Sequence, residues 1–177
     1  VFVVLKELFF LKIKNIGQLQ SFTDLTILGG IPKKKDFVET YRIVNVGERS
    51  EIMEAFRRLR TNIRFMVPHE GANKILITSI LPGEGKTFTS VNLASVFAIA
   101  DRKVLLIDFD LHKPRLAKAM ELKNDVGVSS FLIGNEGFDS IVQRSELPSL
   151  DVITSGPIPP NASELILRPK LEELLKI

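Results

Sequence analysis

Residues 75–87, ILITSILPGEGKT, join an apolar run to a glycine-rich turn ending in Gly85, Lys86 and Thr87. The run reads as a buried strand, and the turn after it as a phosphate-binding loop. Gly83 and Gly85 let backbone N–H groups converge on phosphate oxygens without a Cβ in the way. Lys86 supplies a mobile cation for the β and γ phosphates, and the Thr87 hydroxyl can ligate Mg²⁺. The helix-compatible stretch 90–100, SVNLASVFAIA, points its positive end at the same anion. The strict loop pattern wants glycine where Ile80 stands, so the flanking strand and helix supply the specificity that the pattern lacks. The competing reading is an ordinary strand-to-helix turn carrying a surface lysine.

A second apolar run, KVLLIDFD at 103–110, ends in two carboxylates, Asp108 and Asp110. Side chains two apart on an extended chain project to the same side, at the strand's carboxyl end where doubly wound sheets bind ligands. Mg²⁺ takes one or two such carboxylates beside substrate phosphates and keeps several waters. The alternative is an aspartate pair that only caps the next segment, DLHKPRL.

The 177 residues, 45% of them hydrophobic, suit one globular domain with a sizeable core. A net charge of +3, with Lys and Arg scattered along the chain, gives no electrostatic case for nucleic acid. The absence of cysteine removes disulfides, thiolate metal sites and a cysteine nucleophile. His69 and His112 are isolated and read as loop residues.

Both ends read as cut. The chain starts at Val1 with VFVVL and LFFL, far short of the roughly 20 apolar residues that span a bilayer. The segment fits the tail of a membrane helix or a short amphipathic helix packed on the domain, and spacing does not separate the two. Residues 29–36, GGIPKKKD, read as a linker, placing a juxtamembrane segment and linker at 1–36 and the domain at 37–177. Beside a membrane, Lys33 to Lys35 would lie on the cytoplasmic face. A helix is expected over 50–66, with Ser50 as N-cap and Ile52, Phe56, Leu59, Ile63 and Met66 on one stripe. Four arginines and one glutamate between 54 and 64 suggest a partner surface on its outer faces. At the other end, 161–176 reads as a helix with Asn161 as N-cap and Glu164 as its reciprocal partner.

Strands at 74–80, 103–109 and 150–154 alternate with helices at 50–66, 86–100, 129–133 and 161–176. That rhythm implies an α/β fold: a doubly wound, mostly parallel sheet with helices on both faces. A further strand is expected after Ile177, so the domain reads as incomplete at its C-terminus.

Four segments together resemble the bacterial tyrosine autokinases of capsule and exopolysaccharide synthesis, whose cytoplasmic P-loop ATPase domain is attached to a chain-length-determining membrane protein. PGEGKT is similar to their Walker A loop and VLLIDFDLHKP to their Walker A′ segment. EAFRRLRTNI resembles their self-association helix, and LDVITSGPIPPNASELI their proline-rich strand-to-helix passage. The resemblance spans about residues 4–177. It implies that ATP or ADP is held by Pro82, Gly83, Glu84, Gly85, Lys86, Thr87 and Phe88, and that Thr87 and Asp108 serve Mg²⁺. It implies that Lys86, Asp108 and Asp110 carry phosphoryl transfer to a tyrosine hydroxyl, and that Glu54, Arg57 and Arg60 join copies into an oligomer. The expected location is the cytoplasmic face of the bacterial inner membrane, beside the chain-length-determinant region of the same or a partner chain. The family's Walker B strand and tyrosine-rich tail would follow position 177, so this chain alone is expected to be inactive; its one tyrosine is Tyr41. Two alternatives are a non-catalytic nucleotide-binding module of an export complex and a ParA/MinD-type ATPase switch. Against the second, Leu81 stands where that class carries an extra lysine.

Overall fold

The computed structural model describes residues 13, 15–33, 41, 50–68 and 71–176. Their helices are α1 Ile16–Gln20, α2 Glu51–Met66, α3 Lys86–Ala98, α4 Leu116–Ala119, α5 Val128–Ile133, α6 Phe138–Ile141, α7 Ala162–Leu165 and α8 Lys170–Lys176. Strands β1 Val104–Ile107, β2 Val142–Arg144 and β3 Leu150–Ile153 form one sheet in the order β1-β3-β2. β1 and β3 are parallel, with Val104 opposite Leu150 and Ile107 opposite Ile153. β2 returns antiparallel, with Val142 opposite Ile153.

The period of two along the strands sorts side chains between two cores. Leu150, Val152, Val104 and Leu106 meet Val91, Ala94 and Ala98 of α3 on one face. Ile107 and Ile153 meet Val128, Phe131 and Leu132 of α5, with Leu165 and Leu174, on the other. Helices therefore cover both faces, as the strand and helix rhythm implies. α2 adds an outer layer, setting Met53, Phe56 and Ile63 against Leu93 and Val96 of α3. α3 is thus enclosed by the sheet and α2, which is why its sequence is apolar on nearly every side and buries Val91 through Val96 without a break. Its buried polar groups are answered: Ser95 Oγ donates to Val91 O at 2.8 Å, and Asn92 Nδ2 donates to Phe88 O and to the distant Tyr41 O, each at 2.8 Å. Phe56 is fully buried, and its truncation to alanine would cost about 3–5 kcal/mol.

The α2 helix starts as its sequence implies, with Ser50 Oγ accepting from Met53 N at 3.2 Å. The buried stripe is shifted, however: Met53 is buried and Met66 is 58% exposed. The expected helix over 161–176 is two helices. Pro169 lacks the N–H that would continue α7, so the chain turns there and α8 begins, with Glu172 N donating to Pro169 O at 3.0 Å. Asn161 stands at the N-cap of α7 as expected, but its side chain caps no backbone amide; its Nδ2 donates to Glu164 Oε2 at 3.1 Å. The expected strand at 74–80 pairs with no other strand among the described residues, and Leu76 and Ile80 are exposed. An apolar run becomes a strand only where a neighbouring ladder accepts it.

Part of the expected linker is held against the domain. Leu28 and Ile31 pack against the α2 core, and Asn62 Nδ2 donates to Leu28 O at 2.7 Å. The apolar start at 1–10, Lys34, Lys35, His69 and the boundary at 36 to 37 lie outside the described residues. Among the described residues, no helix is long and apolar enough to cross a membrane.

Candidate functional site

The turn between α3 and β1 fixes where the site can be. Asp101 takes a left-handed conformation, φ 56°, and Arg102 N closes back on Phe97 O at 3.2 Å. β1 then returns alongside α3, against which it packs, so the carboxyl end of β1 and the amino end of α3 lie at the same end of the sheet. The glycine-rich loop and Asp108 share that end.

Gly83 and Gly85 have φ values of 86° and 94°, a region that any side chain strains. A Cβ at either position would meet nothing within 4 Å, so these glycines face open space and do not serve internal packing. Gly85 is the N-cap of α3 and no side chain caps the helix, which keeps side-chain acceptors away from its first amides. Lys86 Nζ donates to Ser79 Oγ at 2.9 Å, and Ser79 Oγ donates to Leu81 O at 2.9 Å. Leu81 N donates to Glu84 Oε2 at 3.2 Å. The loop's one cation is therefore parked on a neutral hydroxyl, a partner that an anion displaces readily. Thr87 is half-buried in the first turn of α3. Phe88 sends its ring away from the loop, onto Phe56 at 5.8 Å between centroids, so only its backbone remains for a phosphate.

The two aspartates differ. Asp108 Oδ1 accepts from Asp110 N at 3.0 Å and Oδ2 from Leu116 N at 3.4 Å. Burial pushes its carboxyl above the ordinary carboxylate range; the two amides oppose that shift, and the nearby Asp110 carboxylate adds to it. Asp110 is exposed and its Oδ1 accepts from His112 N and Lys113 N at 3.3 and 2.9 Å. The capping role is thus present in both, while Asp108 also has the poorly solvated carboxylate that a cation would stabilise. No group of three His, Cys, Asp or Glu among the described residues could hold a metal by itself. One hydroxyl and one or two carboxylates fit Mg²⁺ only where phosphate oxygens complete the shell, which the open loop allows.

Glu54, Arg57 and Arg60 lie on α2, which packs on α3. Arg57 pairs with Glu54 at 2.7 Å, and Arg60 Nη1 donates to Val96 O at 2.7 Å.

Ser79 was not legible as a functional residue, because a serine in an apolar run carries no motif. A second set that sequence reasoning missed closes the carboxyl end of β3. Asn124 Oδ1 accepts from Gly156 N at 3.0 Å while its Nδ2 donates to Gly156 O at 2.9 Å. Ser129 Oγ donates to Pro157 O at 2.7 Å, and Thr154 Oγ1 donates to Val126 O at 3.2 Å. The available signal was polar residues in the TSG that ends an apolar strand.

Comparison with known proteins agrees with this geometry. Residues 75–155 match the family model described as the CobQ/CobB/MinD/ParA nucleotide binding domain. Tyrosine-protein kinase YwqD of Bacillus subtilis (strain 168) is 47% identical over 121 residues, 68% of this chain and 51% of that protein. Tyrosine-protein kinase etk of Escherichia coli (strain K12) is 39% identical over 124 residues, 70% of this chain and 17% of that protein. The chain thus spans about half of the first of these curated relatives and about a sixth of the second. Among solved structures, the kinase domain of Escherichia coli tyrosine kinase ETK superposes with TM-score 0.82 at 31% identity, covering 93% of this chain and 69% of that one. The chimerical protein CapA2B2 gives TM-score 0.81 at 38% identity, covering 92% and 69%. With that identity sustained across more than two thirds of both solved chains, and the glycine loop and aspartate strand at one end of the sheet, the chain belongs to the bacterial tyrosine-protein kinases built on a P-loop nucleotide-binding domain.

Proposed function

We propose that this chain is the ATP-binding part of a protein-tyrosine autokinase that acts in polysaccharide polymerisation and export at the cytoplasmic face of the bacterial inner membrane. The observation that carries the reading is the meeting of an unfilled glycine loop, φ 86° and 94°, with the poorly solvated Asp108 at one end of the sheet. The names of the relatives support the reaction, and one, from Klebsiella pneumoniae, is called a putative tyrosine-protein kinase in cps region.

In this reading Lys86 leaves Ser79 for the β and γ phosphates of ATP, and the amides at the start of α3 donate to the same oxygens. Thr87 and Asp108 would hold Mg²⁺, which would supply positive charge against the charge that develops on the phosphate oxygens. Asp110, whose Oδ1 is used by two loop amides, offers Oδ2 to the tyrosine hydroxyl. As that oxygen bonds to the γ phosphorus and the bond to ADP breaks, Asp110 takes the hydroxyl proton. The chain's own contribution is position and charge, because phosphoryl transfer passes through a loose transition state with its charge spread over oxygens. α2 is the surface on which copies associate.

Calorimetry with Mg-ADP tests the nucleotide site. The chain should bind, and Lys86→Met should weaken that binding by about a hundredfold while leaving the thermal melt in place. Equal affinity in both forms would overturn the assignment. Incubation with Mg-ATP followed by phosphotyrosine detection tests the transfer step separately.

A further inference from the structure

Arg60 lies on α2, away from the phosphate loop, yet its bond to Val96 O joins residues 36 apart in sequence and ends on the helix that carries the loop. The carbonyls of the last turn of a helix have no intrahelical amide. Here Ile99 N is taken by Ser95 O, and Ala100 N and Arg102 N both go to Phe97 O. Val96 is 2% exposed, so water is a poor substitute partner for its carbonyl. The Arg60 guanidinium fills that role and places a positive charge at the negative end of the α3 dipole. It does so against opposition, since burial and the neighbouring Arg57 and Arg64 all disfavour its charge. α2 also grips the other end of α3, through the Phe56 ring on Phe88, the residue after Thr87. A rigid rod of 13 residues is therefore fixed at both ends by one outer helix.

We propose that Arg60 is a positioning residue of the nucleotide site: it anchors the C-terminal end of α3 and so sets where the amino end of that helix presents Lys86 and Thr87. This inference rests on the phosphate loop being the nucleotide site. It divides the labour within the arginine set of α2. Arg57, paired with Glu54 on the helix surface, has no such line to the loop, whereas a change at Arg60 reaches the site within a single copy.

The test uses the full chain and four forms: parent, Arg60→Met, Arg60→Lys and Arg57→Ala. Mg-ADP affinity is measured by calorimetry, association by light scattering, and amide hydrogen exchange across 86–98 without nucleotide. Arg60→Met should weaken Mg-ADP binding by about fivefold and speed exchange at the C-terminal end of α3, at protein concentrations where parent and variant have the same mass. Arg60→Lys, which keeps a charged donor, should recover part of both. Arg57→Ala should change neither. If Arg60→Met binds within a factor of about two of the parent and exchanges alike, while its mass falls, Arg60 acts only between copies and the inference is overturned. A parent that binds no Mg-ADP overturns the loop assignment and this inference with it, an outcome distinct from the first.

Discussion

Two pairs of glycines sit near the same end of the sheet and do opposite work. At Gly83 and Gly85 a Cβ would meet nothing within 4 Å, and residues 80–84 around them are exposed. At Gly127 a Cβ would lie 2.2 Å from Thr154 O and 2.4 Å from Gly156 N, and at Gly156 one would lie 2.6 Å from Ser129 Oγ. The first pair keeps space clear for something outside the chain. The second lets two stretches of the chain's own backbone touch, with Val128 N on Thr154 O and Ser129 N on Ser155 O, both at 2.9 Å. Glycine alone therefore does not mark a ligand site; what a methyl group would strike does.

That contrast is open to direct attack. The largest effect is expected at the closed pair. Gly127→Ala drives a methyl group into backbone that cannot swing aside, and should lower unfolding free energy by about 3 kcal/mol in denaturant titration, with no specific effect on nucleotide beyond lost folding. A loss below about 1 kcal/mol would show that the knot yields. Next comes Lys86→Met at the open pair, expected to weaken Mg-ADP binding by about a hundredfold while shifting stability by less than about 0.5 kcal/mol. Gly83→Ala sharpens the comparison because only backbone strain stands against it: about 1 kcal/mol of stability should be lost, with a larger proportional fall in nucleotide affinity. Equal losses at positions 83 and 127 would erase the distinction between the pairs.

A subtler outcome concerns Asp108. Its folded-state pKa is raised by burial, so the folded chain holds a proton that the unfolded chain has already released. The contribution of Asp108 to stability should therefore be greatest below the ordinary carboxylate pKa and fall as pH rises through the window up to the raised value. In metal-free buffer, Asp108→Asn should flatten that fall and leave the neutral-pH form more stable than the parent. An unchanged pH slope in the variant would mean another group carries it. The smallest effect is expected at Glu121, which takes φ 55° where the chain leaves α4. Glu121→Gly relieves the left-handed strain but adds unfolded-state freedom, for a net gain of a few tenths of a kcal/mol at most, or about 0.5, in thermal unfolding.

The parts of the fold legible in the sequence were those settled by local pattern. α2 announced itself by Ser50 and an apolar stripe, α3 by an unbroken apolar stretch after glycine, and β1 and β3 by short apolar runs ending in polar residues. The parts that were not legible depend on distant partners. Val142–Arg144 is a strand only because Ile153 is opposite Val142, and nothing in three residues says so. The run at 74–80 has a strand's composition and, among the described residues, lacks a strand's neighbour. The break at Pro169 is visible in principle, since a proline inside a helical pattern stops it. At the site, glycine spacing disclosed the loop because φ is a local property. Arg60's use of a carbonyl 36 residues away was beyond any local reading.

The sheet also has two unlike rims. β2 spans only three residues, follows directly on α6 and leaves Arg144 exposed, features that discourage another chain from adding to that side. β1 has β3 on one side and, among the described residues, no strand on the other. Of the two rims, the β2 side is therefore the one built against strand addition.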